Sequence, residues 1–296
     1  FGSYADFLGT DNQALRLIDD AIIRADTLNK PWAIKELNAT KAQILTNPSQ
    51  GTRPFVLHHN WVVNTPMQTG IADSAKAITA LNTANRFTNA FGVFVTGIDR
   101  DSTAGKAAGS FRGSKVFSYT GAVMTLPTGV QAVAENQYGR PDRALDYIKR
   151  MTRSFGYALP GSMYEVSPDY GMVVQAWNIY GYAVPIIGQF FGVRPMAHKK
   201  KVVIRPQMPT TWQHASIENV TIGINQISVY YYSDDNGERK ITITQTQDDW
   251  TVELQLPKAN YTIIGNSDVK SNAVGDRSVF KTTQKRMTVK SEGYPL

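Results

Sequence analysis

The sequence contains no cysteine. That excludes disulfides, thiolate nucleophiles and Cys-ligated zinc. Histidine is scarce, with four in 296 residues, and His58-His59 is the only adjacent pair. Neighbouring residues on a helix or strand point apart, so this pair makes a poor zinc or dinuclear site. No segment approaches the apolar length of a membrane span. No Ser-His-Asp nucleophile elbow, P-loop or Rossmann glycine fingerprint occurs. The chain begins Phe1-Gly2-Ser3-Tyr4, with neither Met nor a signal-peptide pattern, so a processed N-terminus or a piece of a larger chain is expected. The lack of cysteine fits a periplasmic or secreted protein as well as a cytoplasmic one, and the first two are the expectation.

What is present is globular material, 42% hydrophobic and 19% charged, long enough for a sizeable core and two domains. The formal net charge is +7. Its only dense run, His198-Lys199-Lys200-Lys201, reads as the solvated start of a strand and not as a phosphate-binding patch. Neither a nucleic-acid partner nor a membrane partner is therefore expected.

The hydrophobic period changes near residue 195. Before it, the spacing predicts about six helices. The first carries Ala14, Ile18, Ala21 and Ala25 and is capped near Thr10 or Asp11. The second starts at Pro31, and the third spans 66–86. The fourth spans 121–138 and is interrupted by Pro127 and Gly129. The fifth covers 142–154. The sixth, 172–191, is apolar on most faces and so expected to be buried. A small, polar, glycine-bearing loop fills 99–110. After residue 195 the period becomes two, with strands at 201–205, 216–221, 227–232, 240–246, 251–256, 261–264 and 286–289. Asp234-Asp235-Asn236-Gly237 reads as a hairpin turn. The expected architecture is multidomain, α then β: residues 1–195 helical, residues 196–296 an antiparallel β-sandwich.

The most informative stretch is 164–178. It sets Glu165 in a Pro- and Gly-broken loop running into an aromatic-rich apolar helix. A carboxylate beside aromatic rings can act as an acid or base, and the rings can stack on sugars. The competing reading is a solvated loop Glu ahead of a core Trp.

Glu165, Pro168, Gly171 and Gln175-Ala176-Trp177-Asn178 resemble the Glu…Pro…Gly…Gln-Ala-Trp-Ser signature of the glucosidase domain of glycogen debranching enzymes, a six-hairpin glycosidase family. His59-Asn60, the 87–99 segment, Gly113 to Tyr119 and Tyr138-Gly139-Arg140 follow in the family's order. Ser3-Tyr4-Ala5-Asp6 is similar to its Thr-Trp-Met-Asp segment. The likeness covers residues 1–195. It implies part of an (α/α)6 toroid whose N-terminal half is missing here, to be completed by a second chain or an N-terminal fragment.

The implied activity is inverting hydrolysis of an α-linked oligo- or polysaccharide, with no cofactor and no metal. Glu165 would be the general base. Asp6 would be the general acid, with Asp19, Asp20 and Asp99 as competitors. Asn60, Trp61, Arg112, Tyr119, Tyr164, Tyr170, Gln175 and Trp177 would bind sugar, although core packing is an equal alternative for each aromatic residue. A rhamnosidase-like specificity and a non-catalytic carbohydrate-binding protein are the other two readings.

Overall fold

The computed structural model describes residues 2–101, 121–157, 159–167, 169–235, 237–265 and 268–292. Arg112, Tyr119, Pro168, the 113–119 segment and most of the polar loop expected at 99–110 lie outside the described residues. The protein is mixed α and β, with several antiparallel sheets, and divides into two compact units, Phe1–Tyr182 and Ala183–Leu296.

In the first unit, β1 (Phe7–Gly9) pairs antiparallel with β2 (Arg53–Phe55), and α1 (Asp11–Thr27) and α2 (Pro31–Thr46) lie between them in sequence. Thr10 caps α1 through a capping box: its Oγ1 accepts the Gln13 N–H at 3.3 Å, and the Gln13 side chain accepts the Thr10 N–H at 2.9 Å. Ala14, Ile18 and Ala21 form the buried stripe of α1, and with Leu37, Ile44, Phe55, Leu57, Phe87 and Ile98 they make one core.

The helix expected over 66–86 is two helices. A 3-10 turn (Trp61–Asn64) leads into the short α3 (Thr65–Gln68), and α4 (Ser74–Ala84) follows a reversal. Gly70 makes that reversal at φ +75°, and the Asp73 side chain caps α4 by accepting the Lys76 N–H at 3.1 Å. Three short strands come next in the sheet: β3 (Thr88–Asn89), β4 (Gly92–Phe94) and β5 (Val123–Met124).

The helix expected from residue 121 begins only after β5. α5 (Thr125–Gln137) then runs without interruption and pairs with α6 (Pro141–Thr152). Pro127 is tolerated because first-turn N–H groups have no helical partner. Gly129 is required by packing: a Cβ there would lie 2.4 Å from the Cα of Gly181, in α7 (Ala176–Ala183).

The last expected helix departs most from its forecast. It begins at Ala176, not 172, and Val184–Phe190 is a π-helix. Pro185 has no N–H to give, so the i→i−4 ladder cannot continue through it. Nor is the first half of the segment buried: Met172, Val174, Trp177 and Ile179 are 59%, 59%, 45% and 63% exposed, while Phe190 and Phe191 are buried.

The second unit holds β6 (Val193–Met196), β7 (Lys201–Ile204), β8 (His214–Ile222), β9 (Asn225–Ser233), β10 (Glu238–Gln245), β11 (Thr251–Pro257), β12 (Tyr261–Ile264), β13 (Lys270–Val274), β14 (Arg277–Thr282) and β15 (Arg286–Glu292). They form two five-stranded sheets, in the orders β12-β15-β10-β9-β8 and β13-β14-β11-β7-β6. Alternation sets the buried faces: Ile227, Val229 and Tyr231 are inside while Gln226 and Tyr230 are exposed. Tyr261 of one sheet meets Phe280 of the other edge to face at 5.6 Å.

The pairing is not wholly antiparallel, because β7 runs parallel to β11. Lys201 opens β7 and, with Lys281, holds Glu253 at 2.6 and 3.1 Å, so the basic run is partly ion-paired. The hairpin at 234–237 closes through Glu238 N–H on the Asp234 carboxylate at 2.8 Å. No helix among the described residues is long and apolar enough to cross a membrane.

Candidate active site

Glu165 lies in a narrow hairpin. Its N–H donates to the Met172 carbonyl at 2.8 Å, and Val166 and Tyr170 exchange two N–H to carbonyl bonds, each 3.0 Å. The hairpin is fastened to β5 and the start of α5: Ser167 N–H donates to Val123, and Thr125 N–H to the Glu165 carbonyl, both at 3.0 Å. The Thr125 hydroxyl adds a bond to the Tyr164 carbonyl at 2.8 Å. The N–H and the carbonyl of Glu165 are therefore both hydrogen-bonded.

Gly171 is needed there for two reasons. Its φ is +83°, and a Cβ on it would lie 2.9 Å from Glu165 Oε2. Gly171→Ala should therefore displace the Glu165 side chain while the protein stays folded, which a crystal structure of the variant and circular dichroism would check.

The backbone ladder continues beyond β5. Val95 N–H donates to Ala122 at 2.8 Å, and residues 95–98 pair in turn with 58–61. There Gly97 and Ile98 donate to the carbonyls of His59 and His58, both at 3.0 Å, and Trp61 N–H reaches Val95 at 2.9 Å. A single hydrogen-bonded layer thus joins the loop bearing Asn60 and Trp61 to the hairpin bearing Tyr164, Glu165 and Tyr170.

Within this layer Trp61 and Tyr164 are half-buried and Tyr170 is 42% exposed, while Trp177 on α7 is 45% exposed. Core packing therefore does not account for Trp177. Asn60 uses its side-chain oxygen to cap Val62 N–H at 3.1 Å. Gln175 Oε1, Ser167 Oγ and Asn178 Oδ1 are buried without a hydrogen-bond partner among the described residues. The other amide end of Asn178 donates to the Met163 carbonyl at 3.0 Å and anchors α7. Gln68 donates to the Tyr180 hydroxyl and ties the same helix to α3.

Asp6 continues the β1–β2 pairing through its N–H on Phe55, at 3.0 Å. Its carboxylate accepts the N–H of Leu57 at 2.7 Å, of His58 at 3.0 Å and of Asn60 at 3.1 Å. Between these residues, His59 is held at φ +51°, buried, with its ring 4.4 Å from that of Phe87. Burial pushes the His59 imidazole down to about 4, against the opposing field of Asp6, so the ring is neutral at pH 7.

Two of the three competing acids are tied up elsewhere, and Asp20 is exposed on α1. Asp19 pairs with Lys41, and buried Asp99 is held by Arg24 at 2.9 Å and Lys30 at 3.3 Å. No group of three His, Asp or Glu among the described residues is placed to hold a metal ion.

One acid was not anticipated from the sequence. Glu135 on α5 is wholly buried, in ion-pair contact with Arg140 Nε at 3.0 Å, although the alignment falls short of a hydrogen bond. Gln131 donates to it at 3.1 Å and accepts from Asn64 at 2.7 Å. Burial pushes its carboxyl up, and Arg140 and Gln131 work against that shift. The available signal was Gln131 and Glu135, one turn apart in an Ala- and Val-rich helix. A cavity of about 970 Å³ is lined by Ser3, Tyr4, Gln43, Arg53, Phe55 and Lys76, and not by Glu165.

No protein-family model matches the chain, and no curated protein matches it.

Proposed function

We propose that the chain is a glycoside hydrolase that cleaves O-glycosyl bonds of an α-linked oligo- or polysaccharide with inversion, Glu165 acting as general base. The observation that carries this reading is the Glu165 hairpin. A half-buried Glu165 stands on a hydrogen-bonded hairpin, its space kept by Gly171, and the same hairpin bears the exposed ring of Tyr170. A base that must activate one water needs that fixity, and sugar rings need flat apolar faces.

Inversion requires a second carboxylic acid roughly 6.5–9.5 Å away, leaving room for the water. Trp61, Tyr164, Tyr170, Gln175 and Trp177 would contact sugar, and the unpartnered buried oxygen of Gln175 supports its part in this. Arg112 and Tyr119 keep the same proposed role from the resemblance alone.

The fuller architecture is part of an (α/α)6 toroid. In that arrangement the exposed Met172, Val174, Trp177 and Ile179 are faces that another chain, or a further part of this polypeptide, would cover. The test is initial-rate hydrolysis of aryl α-glucosides and aryl α-rhamnosides. Turnover of the glucosides is expected. Turnover of the rhamnosides alone would move the specificity to a deoxysugar, and tight binding with no turnover would favour a carbohydrate-binding protein.

A further inference from the structure

We infer that Asp6 is a positioning residue that shapes the 57–61 loop, and that the proton for the leaving group comes from a different acid. The inference rests on the glycosidase reading, because the loop it shapes presents Asn60 and Trp61.

A general acid has to place its O–H within about 2.6–3.2 Å of the glycosidic oxygen. Both oxygens of Asp6 are turned into the protein, one on Leu57 N–H at 2.7 Å, the other on His58 and Asn60 N–H at 3.0 and 3.1 Å. Charge-assisted bonds of this kind are the strong ones, and three on one carboxylate make a clamp.

Distance along the layer agrees. The chain segment bonded to Asp6 is separated from the Glu165 hairpin by 95–98 and 122–124, that is, by three strand steps. At about 4.8 Å a step the two backbones lie on the order of 14 Å apart along the layer, while inversion asks for roughly 6.5–9.5 Å between the carboxyl groups themselves.

The clamp has a local purpose. His59 is held in the left-handed region at φ +51°, a conformation that costs on the order of 1–3 kcal/mol and persists only where the surroundings impose it. Asp6 holds one edge of the loop, and the N–H groups of Gly97 and Ile98 hold the carbonyls of His59 and His58 on the other, both at 3.0 Å. The strained residue directly precedes Asn60, whose side chain caps the turn that carries Trp61. Asp6 therefore acts through the direction in which Asn60 and Trp61 point.

The test uses the full chain and Asp6→Asn, with two readouts. The first is hydrolysis of an aryl α-glucoside with an excellent leaving group (2,4-dinitrophenyl) beside one with a poor leaving group (unsubstituted phenyl). Positioning predicts a similar loss on both, about tenfold or more and mainly in KM, with the alkaline limb of the pH–rate profile kept. A loss confined to the poor leaving group, with that limb abolished, would make Asp6 the acid and overturn the inference. The second readout is amide hydrogen exchange, which needs no activity. Leu57, His58 and Asn60 should lose protection at least tenfold while α5 and α6 keep theirs; unchanged protection overturns the clamp. A parent that hydrolyses neither substrate sinks the glycosidase reading, and exchange still decides the clamp. If Asp6→Asn does not fold, Asp6→Glu, which keeps the charge but not the reach, takes its place in both readouts.

Discussion

Glu165→Gln should lower turnover of an aryl α-glucoside by about a thousandfold, within the 10²–10⁴ usual for removing a positioned general base. The amide is isosteric and can occupy the space beside Gly171, so KM and melting temperature should hardly move. The loss belongs to kcat because the water is activated only on the way to the transition state. Added azide, a nucleophile that needs no base, should restore part of the rate and give a glycosyl azide of inverted configuration. Undiminished turnover would remove Glu165 from the chemistry, and a large fall in melting temperature would show that it serves the hairpin and not the reaction.

The second large effect concerns stability. Arg140→Ala removes the cation beside Glu135, whose side chain is 1% exposed. Breaking a buried pair from one side costs about 3–5 kcal/mol, because the remaining charge has lost its compensation. For a chain of this size that is a fall in melting temperature of roughly 10 °C.

The effect has a pH signature. Burial raises the Glu135 carboxyl above its ordinary 4.5 in the folded protein, with Arg140 opposing the rise. A folded-state value above the unfolded one means that the folded form binds the extra proton. Stability from this group is therefore full below about 4.5 and is lost as pH rises through the folded value. Without Arg140 that folded value moves higher and the loss is larger. The gap between parent and variant should thus be widest at neutral pH and narrow as the solution is acidified. A gap of constant size from pH 4 to 8, measured by thermal melts, would mean that Arg140 matters through packing alone.

Local chemistry made part of this fold readable. Thr10 with Gln13 announces the start of α1, Pro31 the start of α2, and the alternation Ile227, Val229, Tyr231 a half-buried strand. What escaped was decided at long range. Residues 121–124 are apolar enough to open a helix, but Val123–Met124 become β5, because β4 on one side and Val166 on the other supply strand partners. The β13–β14 hairpin was missed although Gly275 sits at φ +58° in a two-residue Gly-Asp turn, because Lys270–Val274 is exposed throughout and shows no alternation. The apolar run ending at Phe191 suggested burial, but composition states what a helix could bury and not whether a partner is there. Pro185 was the readable warning that this helix would not stay regular.

The candidate site divides in the same way. Glu165 and Gly171 are close in sequence and could be read together. The Asp6 clamp joins residues more than fifty positions apart, and no local pattern announces it. Glu135 was hidden by its type, since a lone Glu on a helix ordinarily faces water.

The most direct measurement is proton NMR of the first sugar released from an aryl α-glucoside, recorded before mutarotation. The β-anomer is expected from the parent protein, with almost no product from Glu165→Gln. The α-anomer as first product, or an equal rate from both proteins, would contradict inverting hydrolysis with Glu165 as its base.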